Sequence, residues 1–175
     1  MFAPYGGVWI PQSEWGMRPK SKLCSMLIGA KDIAPGHRMR HEISSIIPEG
    51  AGIDFYGIRG TPVDYGPATK LKVLGDYMFT IVCETSRDEN LFTEILLDCF
   101  AVGTVPIFWG ATNIGEFFDD NGMLLIREPE DALYYLSCLS RNLYEALEPV
   151  ARANLAEIGQ YRTTEDWLFN HGYFA

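Results

Sequence analysis

The polar residues between Glu84 and Glu94 are the part of the sequence best suited to bind a ligand. They follow the apolar stretch Tyr77–Cys83, and apolar residues recur at helical spacing from Leu91 onward. The free N–H groups and the dipole at the start of a helix attract anions. We therefore expect this loop to bind an anionic group such as a diphosphate.

The elements around this loop predict an α/β domain. Residues 77–83 and 105–109 are apolar runs typical of buried parallel strands, and the helix between them completes a βαβ unit. Ligands of such sheets bind beyond the carboxyl ends of the strands, where the 84–94 loop lies. We predict a single Rossmann-like, three-layer domain with a mostly parallel sheet. The other predicted elements are strands over 22–28, 53–56 and 123–126 and helices over 37–47, 114–118, 129–140, 142–158 and 165–169.

Short motifs follow one another in this region in a fixed order. They are Glu84-Thr85-Ser86, Phe92-Thr93-Glu94 and Gly103-Thr104-Val105-Pro106 with Gly110. Their order and spacing resemble the donor-sugar site of glycosyltransferase family 10, the alpha-fucosyltransferases. The run 54–57 and the pattern Lys70, Leu74, Tyr77, Phe79 also follow the family form. We interpret Lys70 and Lys72 themselves as ordinary surface lysines.

The resemblance implies a fold, a ligand and a set of binding residues. The fold would be equivalent to the C-terminal, donor-binding half of a GT-B glycosyltransferase, and the ligand would be GDP-fucose or a related nucleotide sugar. Glu94 would hold the ribose, and the loop around Glu84, Thr85 and Ser86 would frame the diphosphate. Phe92 and Thr93 complete the donor-binding set taken from the motif.

Family members also carry a phosphate-binding arginine on the helix predicted here over 37–47. Arg38 and Arg40 are the candidates, and Arg40 is favoured because its Arg-His-Glu run looks like the form in bacterial members. A guanidinium stays charged and can grip two phosphate oxygens at once. Lys31, in the loop after the first strand, is a further candidate. The alternative is that both arginines are solvated surface charges.

Three positions depart from the family pattern. Thr85 replaces an asparagine, Leu91 a frequent aromatic residue, and Ile95 a lysine. A lysine beside the diphosphate stabilises the charge that develops on the leaving group. Its loss favours a second interpretation, a catalytically degenerate domain that binds nucleotide sugars or other proteins without transfer.

The length of 175 residues is typical of one domain. We expect a linker-like segment over 1–20, because residues 2–10 look like the linker between the halves of some bacterial members, and a donor-binding domain over 21–175. The resemblance covers only the donor half, so we expect an N-terminal acceptor domain to be missing, and with it the general base. The catalytic residue is therefore left unassigned, and the chain would be a fragment or a natural remnant.

Composition excludes several other classes of function. A net charge of −9 argues against nucleic-acid binding. The four cysteines include no Cys-x-x-Cys pair, and His37 and His41 have no third ligand, so we predict free thiols, no metal and no cofactor. Because there is neither a long apolar run nor a leader pattern, we expect no membrane segment and a cytoplasmic location.

The preferred interpretation is the donor-binding domain of an inverting fucosyltransferase that transfers fucose from GDP-fucose to a glycan acceptor. The alternatives are the degenerate nucleotide-sugar module and a structural or interaction domain. The aromatic residues near the C terminus have two interpretations. They would either pack against the core or form a contact surface for another domain. These residues are Trp167, Phe169, Tyr173 and Phe174.

Overall fold

Five parallel strands form the centre of the fold in the computed structural model, which describes residues 4–173. Their spatial order is β2-β1-β3-β4-β5. The strands are β1 (Lys22–Ile28), β2 (Ile53–Gly57), β3 (Tyr77–Cys83), β4 (Val105–Trp109) and β5 (Leu124–Leu125). All pairings in this sheet are parallel. The predicted α/β fold is confirmed.

Six helices cover the two faces of the sheet. They are α1 (Pro35–Ile46), α2 (Pro67–Leu74), α3 (Glu94–Ala101), α4 (Pro129–Cys138), α5 (Arg141–Glu157) and α6 (Thr164–Asn170). Apolar residues of α1 and α4 pack in one core cluster, and those of α2 and α3 pack in another. The middle strand β3 is buried at every position because it is covered on both faces.

The direction of the chain reverses between β1 and β3. From β1 the chain moves outward to β2, and from β2 it returns past β1 to β3. Right-handed crossovers then place α1 and α2 on opposite faces. The loops after β1 and β3 consequently diverge and leave a crevice at their carboxyl ends, which is where open α/β sheets bind ligands.

The described part of the predicted linker is packed on the domain. Ile10 is buried in the core, and Oδ1 of Asp98 accepts hydrogen bonds from the N–H groups of Trp9 (2.8 Å) and Ile10 (3.0 Å). Nζ of Lys20 donates to the carbonyls of Gly75 (2.9 Å) and Val102 (2.7 Å). Trp9, Ile10 and Lys20 are therefore anchored to the rest of the domain by buried hydrogen bonds. That the segment joins another domain stays a prediction.

The carboxyl-terminal aromatic residues do not act alike. Trp167 is buried, and its ring stacks on the ring of His171 with 4.0 Å between the ring centres, whereas Phe169 is exposed. Phe174 lies outside the described residues. Trp167 thus packs, as one of the two interpretations expects.

Three helical segments differ from the sequence prediction. Residues 114–118, predicted as a helix, contain only the short 3-10 helix Ile114–Glu116. The sequence analysis predicts no helix over α2, where it interprets Lys70 and Lys72 as surface lysines; Pro67 starts this helix, as proline often does at the first turn. α3 begins at Glu94 rather than Leu91, because Thr93 has extended backbone and its side chain caps the helix. Within residues 4–173, no helix combines the length and apolar character that crossing a membrane requires.

Candidate functional site

A cleft of about 350 Å³ opens at the carboxyl ends of β1 and β3, beside the start of α3. Six of the predicted binding residues line it: Lys31, Arg40, Glu84, Thr85, Thr93 and Glu94. They come from four separate parts of the chain, and the crevice between β1 and β3 brings them together.

Glu84 fixes the wall of this cleft. It directly follows β3 and is buried, and its carboxylate accepts from the N–H (2.9 Å) and the hydroxyl (2.8 Å) of Thr93. Both oxygens are thereby engaged in holding the 84–93 loop closed against the start of α3. Burial raises the pKa of Glu84 to about 7. Its role in this structure is to shape the loop.

Two glycines allow other elements to approach Glu84 closely. A Cβ at Gly36, in the first turn of α1, would lie 1.6 Å from the carbonyl oxygen of Glu84. A Cβ at Gly110 would lie 2.7 Å from Cγ of Glu84. The N–H of Gly36 donates to the carbonyl of Thr85 at 2.9 Å. These contacts dock α1 onto the end of β3.

Arg40 is the half-buried cation of the cleft. Its Nη2 donates to the carbonyl of Cys83 at 3.0 Å, which anchors the guanidinium at the end of β3. One bond of this kind uses only part of a guanidinium's five N–H donors. The side chain is therefore held in place beside the cleft with capacity for an anionic ligand. Lys31, which is exposed, adds a second positive charge at the rim.

The start of α3 supplies the opposite wall. The hydroxyl of Thr93 accepts from the N–H of Ile95, and Glu94 is the first residue of the helix. The side chain of Glu94 is 25% exposed and lies 3.5 Å from Nζ of Lys70. The half-buried Ile95 lines the same cleft. This wall thus presents one carboxylate and one apolar side chain.

The environment of Lys70 differs from the one interpreted from the sequence. It is buried rather than a surface lysine, and its Nζ lies 3.5 Å from both Glu94 Oε1 and Asp98 Oδ2. Lys72, two residues further along α2, places its Nζ over the ring of Tyr56 instead. The signal available in the sequence was the pattern Lys-x-x-x-Leu-x-x-Tyr-x-Phe, which singles out Lys70 alone.

Three predicted residues do not line the cleft. Arg38 is exposed on another side of α1, in a groove with Trp109 and Glu128. Phe92 is buried in an aromatic cluster with Phe118 and Tyr161, because its apolar ring is drawn into the core beneath α3. We therefore remove Arg38 and Phe92 from the binding set.

Ser86 is the third of these residues. Its hydroxyl donates to the carboxylate of Asp88 within the loop, so the structure gives Ser86 a turn contact. Sequence reasoning also missed Trp9 and Tyr65, which line the cleft without belonging to any motif.

A second cleft of about 490 Å³ adjoins the first. It shares Leu27 and Tyr65 with the first cleft and is lined largely by apolar and glycine residues that follow β1 and β2, with the carboxylate of Asp64 among them. The two clefts together offer a charged end and an apolar end. No group of three His, Cys, Asp or Glu residues within 4–173 is arranged to hold a metal ion.

The fold and the cleft define a class of protein. The chain has a Rossmann-like fold that matches up to about half the length of solved GT-B glycosyltransferases. A crystal structure of an alpha1,3-fucosyltransferase matches with a TM-score of 0.56 and 20% identity, over 74% of this chain and 37% of that chain. A mutant of T4 phage BGT in complex with UDP-glucose matches with a TM-score of 0.58 and 10% identity, over 91% of this chain and 49% of that chain.

Sequence comparison finds fucosyltransferases among the proteins that this chain resembles. The chain is 30% identical over 81 residues to GDP-fucose protein O-fucosyltransferase 3 of Danio rerio, covering 44% of this chain and 18% of that protein. The protein of the same name from Xenopus laevis is 30% identical over 74 residues, covering 40% of this chain and 16% of that protein. No protein-family model matches the chain. The resemblance to fucosyltransferases is confirmed, and the chain spans less than a fifth of the length of these curated relatives.

Proposed function

We propose that this domain binds GDP-fucose, or a related nucleotide sugar, as the donor half of an inverting fucosyltransferase. The observation that carries the proposal is the convergence of Arg40, Lys31 and the start of α3 on one cleft at the carboxyl edge of the sheet. Cations and free helix N–H groups together favour a diphosphate.

The proposed pose follows from the two adjoining clefts. The diphosphate lies beside Arg40, and Glu94 accepts hydrogen bonds from the ribose hydroxyls. The base lies in the adjoining apolar cleft, where the carboxylate of Asp64 can accept from an N–H group of a purine. One of the fucosyltransferase structures that support the fold was solved with GDP-fucose.

Transfer requires groups that lie outside the cleft described here. Inversion needs a base to take the proton of the acceptor hydroxyl as that oxygen attacks the anomeric carbon and the GDP leaves. We propose that an acceptor domain supplies this base and selects the glycan. Ile95, where the resembled family has lysine, favours the alternative of a domain that binds the nucleotide sugar without transfer.

Calorimetric titration with GDP and GDP-fucose, with UDP and ADP as controls, tests the proposal. We expect selective binding of the guanine nucleotides. Arg40→Ala should weaken GDP binding about tenfold to a hundredfold, because a charge-assisted hydrogen bond to phosphate is lost. Arg38→Ala, on the same helix but outside the cleft, is the matched control and should change the GDP affinity less than twofold.

Equal binding of all four nucleotides, or no binding at millimolar concentration, would contradict the proposal. Analysis of the reaction products, with an acceptor glycan and an added acceptor domain, then distinguishes an active fucosyltransferase from the degenerate binding module. Transfer supports the enzyme, and binding without transfer supports the degenerate module.

A further inference from the structure

The ammonium group of Lys70 occupies an unusual position in the charged cleft. Its side chain is 8% exposed, and Nζ lies 3.5 Å from carboxylate oxygens of Glu94 and Asp98 and 5.3 Å from the ring centre of Trp9. Charge-assisted N–H···O bonds are typically about 2.7–2.9 Å long. Both contacts are longer, and Oδ2 of Asp98 has no hydrogen-bond partner. The ammonium is therefore retained by charge without being tightly bonded to either carboxylate.

Lys70 is placed on the side of the cleft that otherwise lacks a cation. Arg40 lies on α1 and Lys31 in the loop before it, which is one face of the sheet, whereas Lys70 lies on α2 against α3. Besides Glu94, α3 contributes the apolar Ile95 to this wall. An anion in the cleft would meet positive charge from both faces only if Lys70 takes part.

We propose that Lys70 is the phosphate-binding cation on the α3 side of the donor site, standing in for the lysine that is absent at position 95. This inference rests on the proposed nucleotide-binding function. The two carboxylates attract the ammonium in this buried place, and the Trp9 ring lies over it. A buried charge acts more strongly on a bound diphosphate than an exposed one would.

A purely structural role for Lys70 predicts a different ligand dependence. If the ammonium only holds Glu94 toward the ribose, its removal weakens guanosine and GDP alike. If it contacts phosphate, its removal weakens GDP and leaves guanosine unchanged. Comparing the two ligands therefore distinguishes the roles.

The test uses the double variant Lys70→Met/Asp98→Asn in the full chain. Methionine keeps the length of the side chain, and asparagine avoids an uncompensated buried carboxylate while its oxygen can still accept from Trp9 and Ile10. Lys72→Met is the control, and Asp98→Asn alone is the reference against which the effect of Lys70→Met in the double variant is measured. GDP affinity is measured by calorimetry, and guanosine affinity by ligand-observed NMR, which detects millimolar binding.

We expect the double variant to lose about tenfold to a hundredfold in GDP affinity, with guanosine affinity within twofold of the wild type. Lys72→Met should stay within about threefold of the wild type for both ligands, and the double variant should bind GDP more weakly than Asp98→Asn alone. Adding Ile95→Lys to the double variant should restore most of the GDP affinity.

Unchanged GDP affinity in the double variant, or equal losses for GDP and guanosine, would overturn the inference while leaving the nucleotide-binding proposal intact. A wild-type chain that binds no guanine nucleotide would overturn both. Thermal unfolding of each variant, followed by circular dichroism, establishes that the compared proteins are folded.

Discussion

At the scale of single residues, the structure separates side chains that shape the cleft from those available to a ligand. Glu84 belongs to the first kind, because both of its oxygens are bonded to Thr93. Arg40 and Glu94 belong to the second, since each retains hydrogen-bonding capacity toward the cleft. The sequence motifs between residues 84 and 94 contain both Glu84 and Glu94 without telling their roles apart.

The buried carboxyl of Glu84 should make folding depend on pH. Its pKa is raised by burial from 4.5 to about 7, so the folded state binds more protons than the unfolded state between these values. Stability should therefore fall as pH rises from about 5 to 7.5. Glu84→Gln should reduce that loss by roughly 1–3 kcal/mol, as measured by urea unfolding at both pH values.

Glu89, exposed in the same loop, provides the control for this experiment. Glu89→Gln should leave the pH dependence of stability as it is in the wild type. The buried Asp98, whose pKa burial raises to about 6, contributes a change of the same sign in all three proteins. An identical pH dependence in wild type and Glu84→Gln would show that the Glu84 carboxyl is charged throughout this range.

At the scale of elements, the close approach of α1 to the end of β3 determines where Arg40 lies. Gly36 makes this approach possible, because any Cβ there meets the carbonyl of Glu84. The first turn of α1 and the anchored guanidinium of Arg40 are on the same short helix, so they move together. Gly36 thus affects the site indirectly, because it determines how closely α1 packs against the end of β3.

Gly36→Ala should destabilise the fold by about 3 kcal/mol or more, because backbone atoms must separate to admit the methyl group. GDP affinity should fall with it, since α1 carries Arg40. Thermal unfolding and calorimetry check the two effects. Gly159→Ala is the matched control, as a Cβ there has no heavy atom within 4 Å, and it should change stability by less than about 0.5 kcal/mol.

At the scale of the whole molecule, the N-terminal segment closes one side of the charged cleft through Trp9. Asp98 on α3 holds the backbone of Trp9 and Ile10, and Trp9 lies over Lys70. Pro4 accepts a hydrogen bond from Thr164 at the start of α6. The segment therefore connects the start of α6 to the cleft.

Deletion of residues 1–10 should lower stability by about 2–5 kcal/mol, because Ile10 leaves the core and Asp98 loses both of its donors. It should also weaken GDP binding, since the cleft loses Trp9. Urea unfolding and calorimetry measure the two changes. Deletion of residues 1–3, which removes none of the contacts described above, is the control, and equal stability of the two truncated proteins would contradict this role.

The sequence by itself determined the central strands of the sheet and the place of the 84–94 loop. The predicted bounds of β1, β3 and β4 agree with the structure, because buried parallel strands are continuous apolar runs that can be recognised without their neighbours. The placement of the 84–94 loop at the edge of the sheet followed from the βαβ pattern alone.

Only the tertiary structure decided what each polar residue contacts. Lys70 and Lys72 lie two positions apart on α2, yet only Lys70 is buried, because Glu94, Asp98 and Trp9 come to it from distant parts of the chain. Arg38 and Arg40 differ in the same way, because they lie on different sides of α1 and Arg40 is the one that faces the end of β3. Burial and charge pairing arise from long-range packing, which the spacing of residues along one helix does not specify.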